Sequence, residues 1–545
     1  MEDWWKKEIA YQIYPKSFYD SNHDGIGDIR GIIEKLDYLQ DLGVTLLWIC
    51  PLYKSPMDDN GYDISDYYDV NPEFGTMADL DELIIKAKEK GIKIIMDLVI
   101  NHTSSEHPWF QEAISHPDSP YHDYYIFKQG SQEPNNWRSV FGGSVWEKVA
   151  GRDEYYFHSF SKKQPDLNWE NPQVRKELYQ MINWWLDKGI VGFRVDAINF
   201  IKKDQSYQNG IVDGKDGLSA CFAYTRNQPG IEVFFEELKK ETFDKYSCMT
   251  VAEAVGVQYP DLGIFIGEKG CFSMMFDFNY SNFDINQDEE WFRRQDWQVK
   301  DFKELLFKSQ REVQKLGWIA SFLENHDQPR SIDKLIKDKK YHHYYSKTMI
   351  AGMYFFLRGT SFIYQGQEIG MCNFTRESIN DFDDIGSINQ YKRAIEEGFT
   401  QEEALHFLNL RSRDNARTPM QWNQNQYAGF SDVKPWIKMG DHQEINVENQ
   451  IHDIHSVYHF YQKMINIRKH EDILIYGDFV ELKTNDNVIG YQRVYHDQVI
   501  CCLCNFSELK QSIDHIEGDV LLNNYDDYII GVLKPFQFVM IKLKF

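Results

Sequence analysis

The sequence predicts an α/β fold: a (β/α)8, or TIM, barrel with a loop-rich subdomain inserted after strand three and an antiparallel β domain at the C-terminus. Three observations carry this expectation. Eight short apolar runs alternate with amphipathic helical stretches, and eight parallel strands close a barrel. One polar, aromatic-rich interval, 102–170, breaks the alternation. Beyond about residue 470 the helical period gives way to short alternating strands.

The expected barrel strands are 9–15, 44–51, 92–100, 191–198, 248–255, 272–278, 318–325 and 360–367. Helical periodicity predicts helices over 77–91, 171–189 and about 301–316. Asn171–Pro172 is a strong helix start, because proline suits the first helical position. The domain expectation is therefore a first barrel part over 1–101, an inserted subdomain over 102–170, a second barrel part over 171–468 and a C-terminal β-sandwich over 469–545. A further insertion, 371–430, follows strand eight. A loop as long as 102–170 inside a compact domain usually serves function or forms a subdomain.

Charge narrows the partners. The formal net charge of −25 repels polyanions and argues against nucleic acid and against an acidic membrane surface. No apolar stretch approaches membrane length, and the acidic N-terminus carries no signal-peptide core, so a cytoplasmic location is expected. The motif CCLC at 501–504 has no histidine at ligand spacing. On an alternating strand Cys502 and Cys504 face one side and Cys501 the other, which predicts buried thiols, not a metal site. Aromatic faces suit sugar C–H surfaces, but most of the 15% aromatic content belongs in a core this large.

Three carboxylates follow apolar runs and open polar loops: Asp196 in GFRVDAINF, Glu253 in TVAEAVG and Asp327 in SFLENHDQPR. A parallel barrel gathers its strand ends at one mouth, where barrel enzymes place their chemistry. Two carboxylates facing one acetal carbon suit a retaining glycosidase, one as nucleophile and one as proton donor. Arg194, two residues before Asp196 on the same strand face, is expected to lower the Asp196 pKa. Ala252, Ala254 and Val255 give Glu253 an apolar setting that raises its own.

Together DLVINH (97–102), GFRVDAIN (192–199), AEAVG (252–256) and ENHD (324–327) resemble glycoside hydrolase family 13, the α-amylase group. QPDLNW (164–169) and RSRDNARTPMQW (411–422) narrow the resemblance to its oligo-1,6-glucosidase and α-glucosidase branch, along essentially the whole chain. The resemblance implies a covalent nucleophile at Asp196, an acid/base at Glu253 and a transition-state stabiliser at Asp327. His102 and His326 become sugar-binding donors, and Asp97 a brace for Arg194. Asp59 is similar to the family's clamp on the terminal glucose, with Tyr62 stacking on the sugar ring. Arg413 and Arg417 would pair with Asp59 and close the pocket, implying an exo-acting enzyme on small oligosaccharides, as a monomer or weak homodimer.

Two finer expectations follow. The loop DSNHDGIGD (20–28) is similar to a structural Ca²⁺ site of that branch through Asp20, Asn22, Asp24, Asp28 and the Ile26 carbonyl, with no organic cofactor. Ala197, beside the nucleophile, replaces the valine of α-1,6-preferring relatives, which leans the expectation towards α-1,4, maltose-type links. The alternative is an oligo-1,6-glucosidase. Trehalose-6-phosphate hydrolase, with Lys202 and Lys203 as a phosphate pocket, and sucrose isomerase are more distant rivals.

Overall fold

The computed structural model describes residues 3–285 and 290–544. Eight parallel strands close a barrel: β1 Ile9–Ile13, β2 Leu46–Ile49, β3 Lys93–Val99, β4 Gly192–Asp196, β5 Met249–Glu253, β6 Met274–Phe276, β7 Ile319–Ser321 and β8 Thr360–Tyr364. Neighbours in the sheet are consecutive in sequence, and β8 pairs with β1 to complete the ring. Both faces of these strands are buried, as expected where helices cover a parallel sheet.

All eight expected strands form, but every one except β1 and β8 starts later and all end earlier than their apolar runs. The reason is visible after β7. Glu324, expected inside the strand, is buried and accepts from the Ser331 amide (2.9 Å) and from Arg330 Nη1 (3.1 Å). That local network takes the chain out of the ladder six residues before Asp327.

The helices obey their end signals. Helix α1 (Met77–Glu89) opens with a Thr76–Asp79 capping box. Helix α2 (Pro172–Lys188) starts on the Asn171 side chain, which accepts from the Gln173 amide, and stops at left-handed Gly189. Its inward face, Val174, Leu178, Ile182 and Trp185, packs in the main core. Helix α3 (Val299–Val313) fills the interval between β6 and β7.

Within 102–170 lie a helix, Pro108–Ser115, and a three-stranded antiparallel sheet, with an aromatic core of Trp137, Trp146 and Phe157. The 371–430 interval contributes helices Ile385–Glu397 and Gln401–Arg411. The C-terminal strands β9 (Asp478–Glu481), β10 (Val488–Tyr495), β11 (Gln498–Asn505), β12 (Gly518–Asn523) and β13 (Phe538–Leu543) form one sheet in the order β9-β10-β11-β13-β12. Strand β12 carries no marked alternation in the sequence and was not expected. The run YDDYIIGVLK (525–534), one of the short strands expected beyond residue 470, shrinks to Val532–Leu533, because Asn523 Nδ2 donates to the Asp527 carbonyl (2.9 Å) and folds the start of that segment into a turn. Cys501, Cys502 and Cys504 are buried free thiols on β11.

Gly192 opens β4 at φ +152°, where a Cβ would stand 1.8 Å from the Met249 carbonyl oxygen. Only glycine lets β4 and β5, the strands of Asp196 and Glu253, lie at this distance. Gly192→Ala is therefore expected to cost at least ~1–3 kcal/mol, read as a lower melting temperature; an unchanged melting temperature would show that the strands can part.

Candidate active site

Barrel register assembles the site. Arg194 is the Cα partner of Asp97 across β3 and β4, and Val195 pairs with Ala252 across β4 and β5. Side chains alternate along a strand, so Arg194 and Asp196 share a face. The buried Arg194 guanidinium then meets three carboxylates: Asp97 Oδ1 at 2.6 Å and Asp196 Oδ1 at 2.7 Å through Nη1, and Glu253 Oε1 at 2.6 Å through Nη2. Glu253 Oε2 also accepts from the Ala197 amide at 3.0 Å.

One cation cannot neutralise three buried carboxylates, and the excess appears as raised pKa values. Burial outweighs Arg194 and pushes Asp97 up to about 6, Asp196 up to about 6 and Glu253 up to about 7. For Asp196 this reverses the expected lowering: Arg194 is in place, but its charge is shared three ways and desolvation wins. The Glu253 direction agrees with the apolar setting read from the sequence, and the charges of Asp196 and Asp327 add to it.

Asp327 behaves oppositely. Although desolvation opposes it, His326 (Nε2–Oδ2 2.9 Å), Arg417 (2.9 Å) and Arg413 (3.4 Å) hold its carboxyl well below the usual range. His326 stacks face-to-face on Tyr62, with ring centroids 5.3 Å apart, and its Nε2 lies 2.7 Å from the Tyr62 hydroxyl. Its Nδ1 lies 2.8 Å from Gln12 Nε2, so a donating Gln12 amide leaves the ring proton on Nε2, towards Asp327. Burial lowers the pKa of both His326 and His102, which favours neutral rings.

Asp196, Glu253, Asp327, Asp59, Tyr62, His102, Ala197 and Arg413 all line one cavity of about 510 Å³. In its lining, Arg413 Nη2 bonds Asp59 (2.9 Å) and Asp384 (2.5 Å). Arg417 does not reach Asp59, contrary to expectation; its Nη2 bonds Asp327 and its Nε the His326 carbonyl. Phe141, Phe222, Arg226, Phe278 and Asn279 also line the cavity. Ala197 adopts a left-handed conformation, φ 41° and ψ 36°, which turns its amide onto Glu253.

Two contributors escaped the sequence reading. Gln164 Nε2 donates to Asp59 Oδ2 (3.1 Å); it lies in QPDLNW, so the motif held the signal. Asp384, which anchors Arg413, sits in the irregular 371–430 interval with nothing local to mark it. Lys203 is buried on Asp166 (2.7 Å) and Lys202 is paired with Glu170 (2.6 Å), so neither is a loose cation awaiting phosphate.

Comparison with known proteins meets this geometry. The family described as alpha amylase, catalytic domain, matches residues 12–477. The chain belongs to that family. It is a glycoside hydrolase of family 13, and its relatives match along nearly the whole length. An oligo-1,6-glucosidase of Parageobacillus thermoglucosidasius is 45% identical, over 96% of this chain and 95% of its own. A glucan 1,6-alpha-glucosidase of Streptococcus pneumoniae is 42% identical, over 95% and 94%. Among solved structures, trehalose-6-phosphate hydrolase (TreA) of Bacillus licheniformis superposes with a TM-score of 0.91 at 40% identity, covering 99% of each chain.

In the family 13 barrel, the calcium expectation meets a loop already bonded to itself. Asp20 accepts from the His23 (2.7 Å) and Gly25 (2.8 Å) amides and from Ser431 Oγ (2.6 Å). Asn22 accepts from the Asp24 amide, Asp24 from the Ile26 amide, and Asp28 from Ser21 and Gly31. The donor set is all oxygen, as Ca²⁺ requires. Among the described residues, however, the three aspartates do not converge as closely as another cluster, Asp333, His342 and Cys372.

The order of the pKa values sets an expected bell-shaped profile for kcat/KM. Activity rises as Asp196 ionises near pH 6 and falls as Glu253 loses its proton near pH 7, the two limbs belonging to the pair jointly. A profile without an acid limb would contradict this assignment.

Proposed function

We propose that the protein is a retaining, exo-acting α-glucosidase that releases glucose from the non-reducing end of small oligosaccharides, with α-1,6 links preferred. Asp196 attacks the anomeric carbon while Glu253 passes its proton to the departing oxygen. Glu253 then takes a proton from water, which releases glucose with its α configuration retained. The observation that carries this reading is the shared guanidinium. Asp196 and Glu253 on one Arg194 are consistent with the roughly 5–5.5 Å spacing of retaining pairs rather than a gap holding a second water. Asp327, kept ionised beside them, suits a positively charged, oxocarbenium-like transition state. Asp59, the residue similar to the family's clamp on the terminal glucose, is held by Arg413 in the cavity lining, which favours chain ends over internal bonds.

The α-1,4 lean drawn from Ala197 finds no support. Two of the similar relatives are named for 1,6 links. The physical reason is one of scale: a methyl or two in a pocket is worth only ~1–3 kcal/mol, and the cavity is lined by many other side chains, Phe141, Phe222, Arg226 and Asn279 among them. A trehalose-6-phosphate reading is disfavoured by the engagement of Lys202 and Lys203. Isomaltose is expected to give a higher kcat/KM than maltose, with α-glucose as the first product by NMR. A preference for maltose would restore the Ala197 argument, and β-glucose as first product would overturn retention.

We also propose that the 20–28 loop takes a structural Ca²⁺, held by the oxygens of Asp20, Asn22, Asp24, Asp28 and Ile26. The ion would brace a loop that Ser431 ties to the segment after the 371–430 insertion, remote from the chemistry. Chelator is expected to lower the melting temperature while hydrolysis continues; no change in melting temperature would remove the site.

A further inference from the structure

A cluster of unlike donors lies outside the sugar pocket. Asp333 sits in the short helix Ser331–Leu335, His342 ends the turn Lys339–Tyr341, and Cys372 follows the turn Gln367–Ile369. One ligating atom of each lies within 4.8 Å of the other two, and all three residues are half-buried.

Bonds outside the cluster orient the donors. His342 Nε2 is 2.7 Å from the Ile336 carbonyl oxygen, which can only accept, so Nε2 carries the proton and Nδ1 keeps its lone pair. That is how a metal-binding imidazole is prepared, its other nitrogen donating to a backbone carbonyl. Asp333 Oδ2 accepts from the Asn373 amide at 2.7 Å, next to Cys372, which fixes the carboxylate against the third donor. Cys372 is a free thiol.

We propose that Asp333, His342 and Cys372 bind one divalent transition ion of the zinc type, with water in the fourth position. Imidazole, thiolate and carboxylate together suit Zn²⁺, whereas Ca²⁺ and Mg²⁺ take oxygen ligands. Tetrahedral coordination brings ligand atoms to about 3.3–3.7 Å apart, so the side chains need shift by only roughly 1 Å. The thiol proton leaves to solvent as the Zn–S bond forms. Lys339 and Lys347 also face Asp333, and Lys347 faces Cys372. These charges favour deprotonated ligands but repel the incoming ion, so they weaken the site.

The site would stabilise the barrel mouth and take no part in the chemistry. Asn373 Oδ1 accepts from the Arg330 amide at 2.8 Å, and Arg330 bonds Glu324 of the ENHD segment. A metal at Cys372 would thus pin the chain on both sides of Asp327.

Metal-free protein titrated with Co²⁺ provides the test. One equivalent should give a thiolate-to-cobalt charge-transfer band, displaced by Zn²⁺ and absent in Cys372→Ser. His342→Ala and Asp333→Asn should each weaken binding by at least ~10–100-fold, the loss that follows removal of an outer-shell partner alone, and Lys347→Gln should tighten it. Zn²⁺ should raise the melting temperature of the unaltered protein but not of Cys372→Ser, with hydrolysis of p-nitrophenyl α-glucoside equal in both. Failure to bind Co²⁺, or binding that survives both Cys372→Ser and Asp333→Asn, would overturn the proposal.

Discussion

The guanidinium of Arg194 is the group on which the site depends. It is almost completely buried, a state that is costly for a charge unless it is paired and hydrogen-bonded. Asp97, Asp196 and Glu253 provide the pairing from three consecutive barrel strands. Three carboxylates against one cation leave excess negative charge in a poorly solvated space, and retaining a proton relieves it. Glu253, raised furthest, is the natural holder of that proton. The proposed acid and nucleophile thus share one charge imbalance.

A second cation does different work in the cavity wall. Arg413 joins Asp59 from the loop after β2, Asp327 from the loop after β7 and Asp384 from the helical insertion. Three distant segments converge on one side chain, so this part of the cavity wall is a property of their packing. The barrel strands place Asp196 and Glu253, and the additions to the barrel supply part of the wall around them.

Much of this was legible beforehand. Eight apolar runs became eight barrel strands, and the motif residues Asp59, Tyr62, His102, Asp196, Glu253 and Asp327 line one cavity. The misreadings have a common origin. Arg194 does meet Asp196, as their spacing predicts, but its Nη2 contact with Glu253 runs across strands, and burial with that charge shared raises the Asp196 pKa where a lowering was expected. Arg417 lies four residues beyond Arg413, yet across the turn at Arg413–Asn415 only Arg413 reaches Asp59, and the two meet at Asp327. Ala197 was weighed by the size of its side chain, while its left-handed backbone serves to direct an amide at Glu253.

The sequence by itself determined the barrel, the family and the residues at the strand ends, because hydrophobic period and short motifs are local properties. Only the tertiary structure decided which charges share a partner, which carboxyls keep a proton and where the cavity stops. Those outcomes depend on burial and on distances of a few ångströms between strands far apart in the chain, and neither is written in local order.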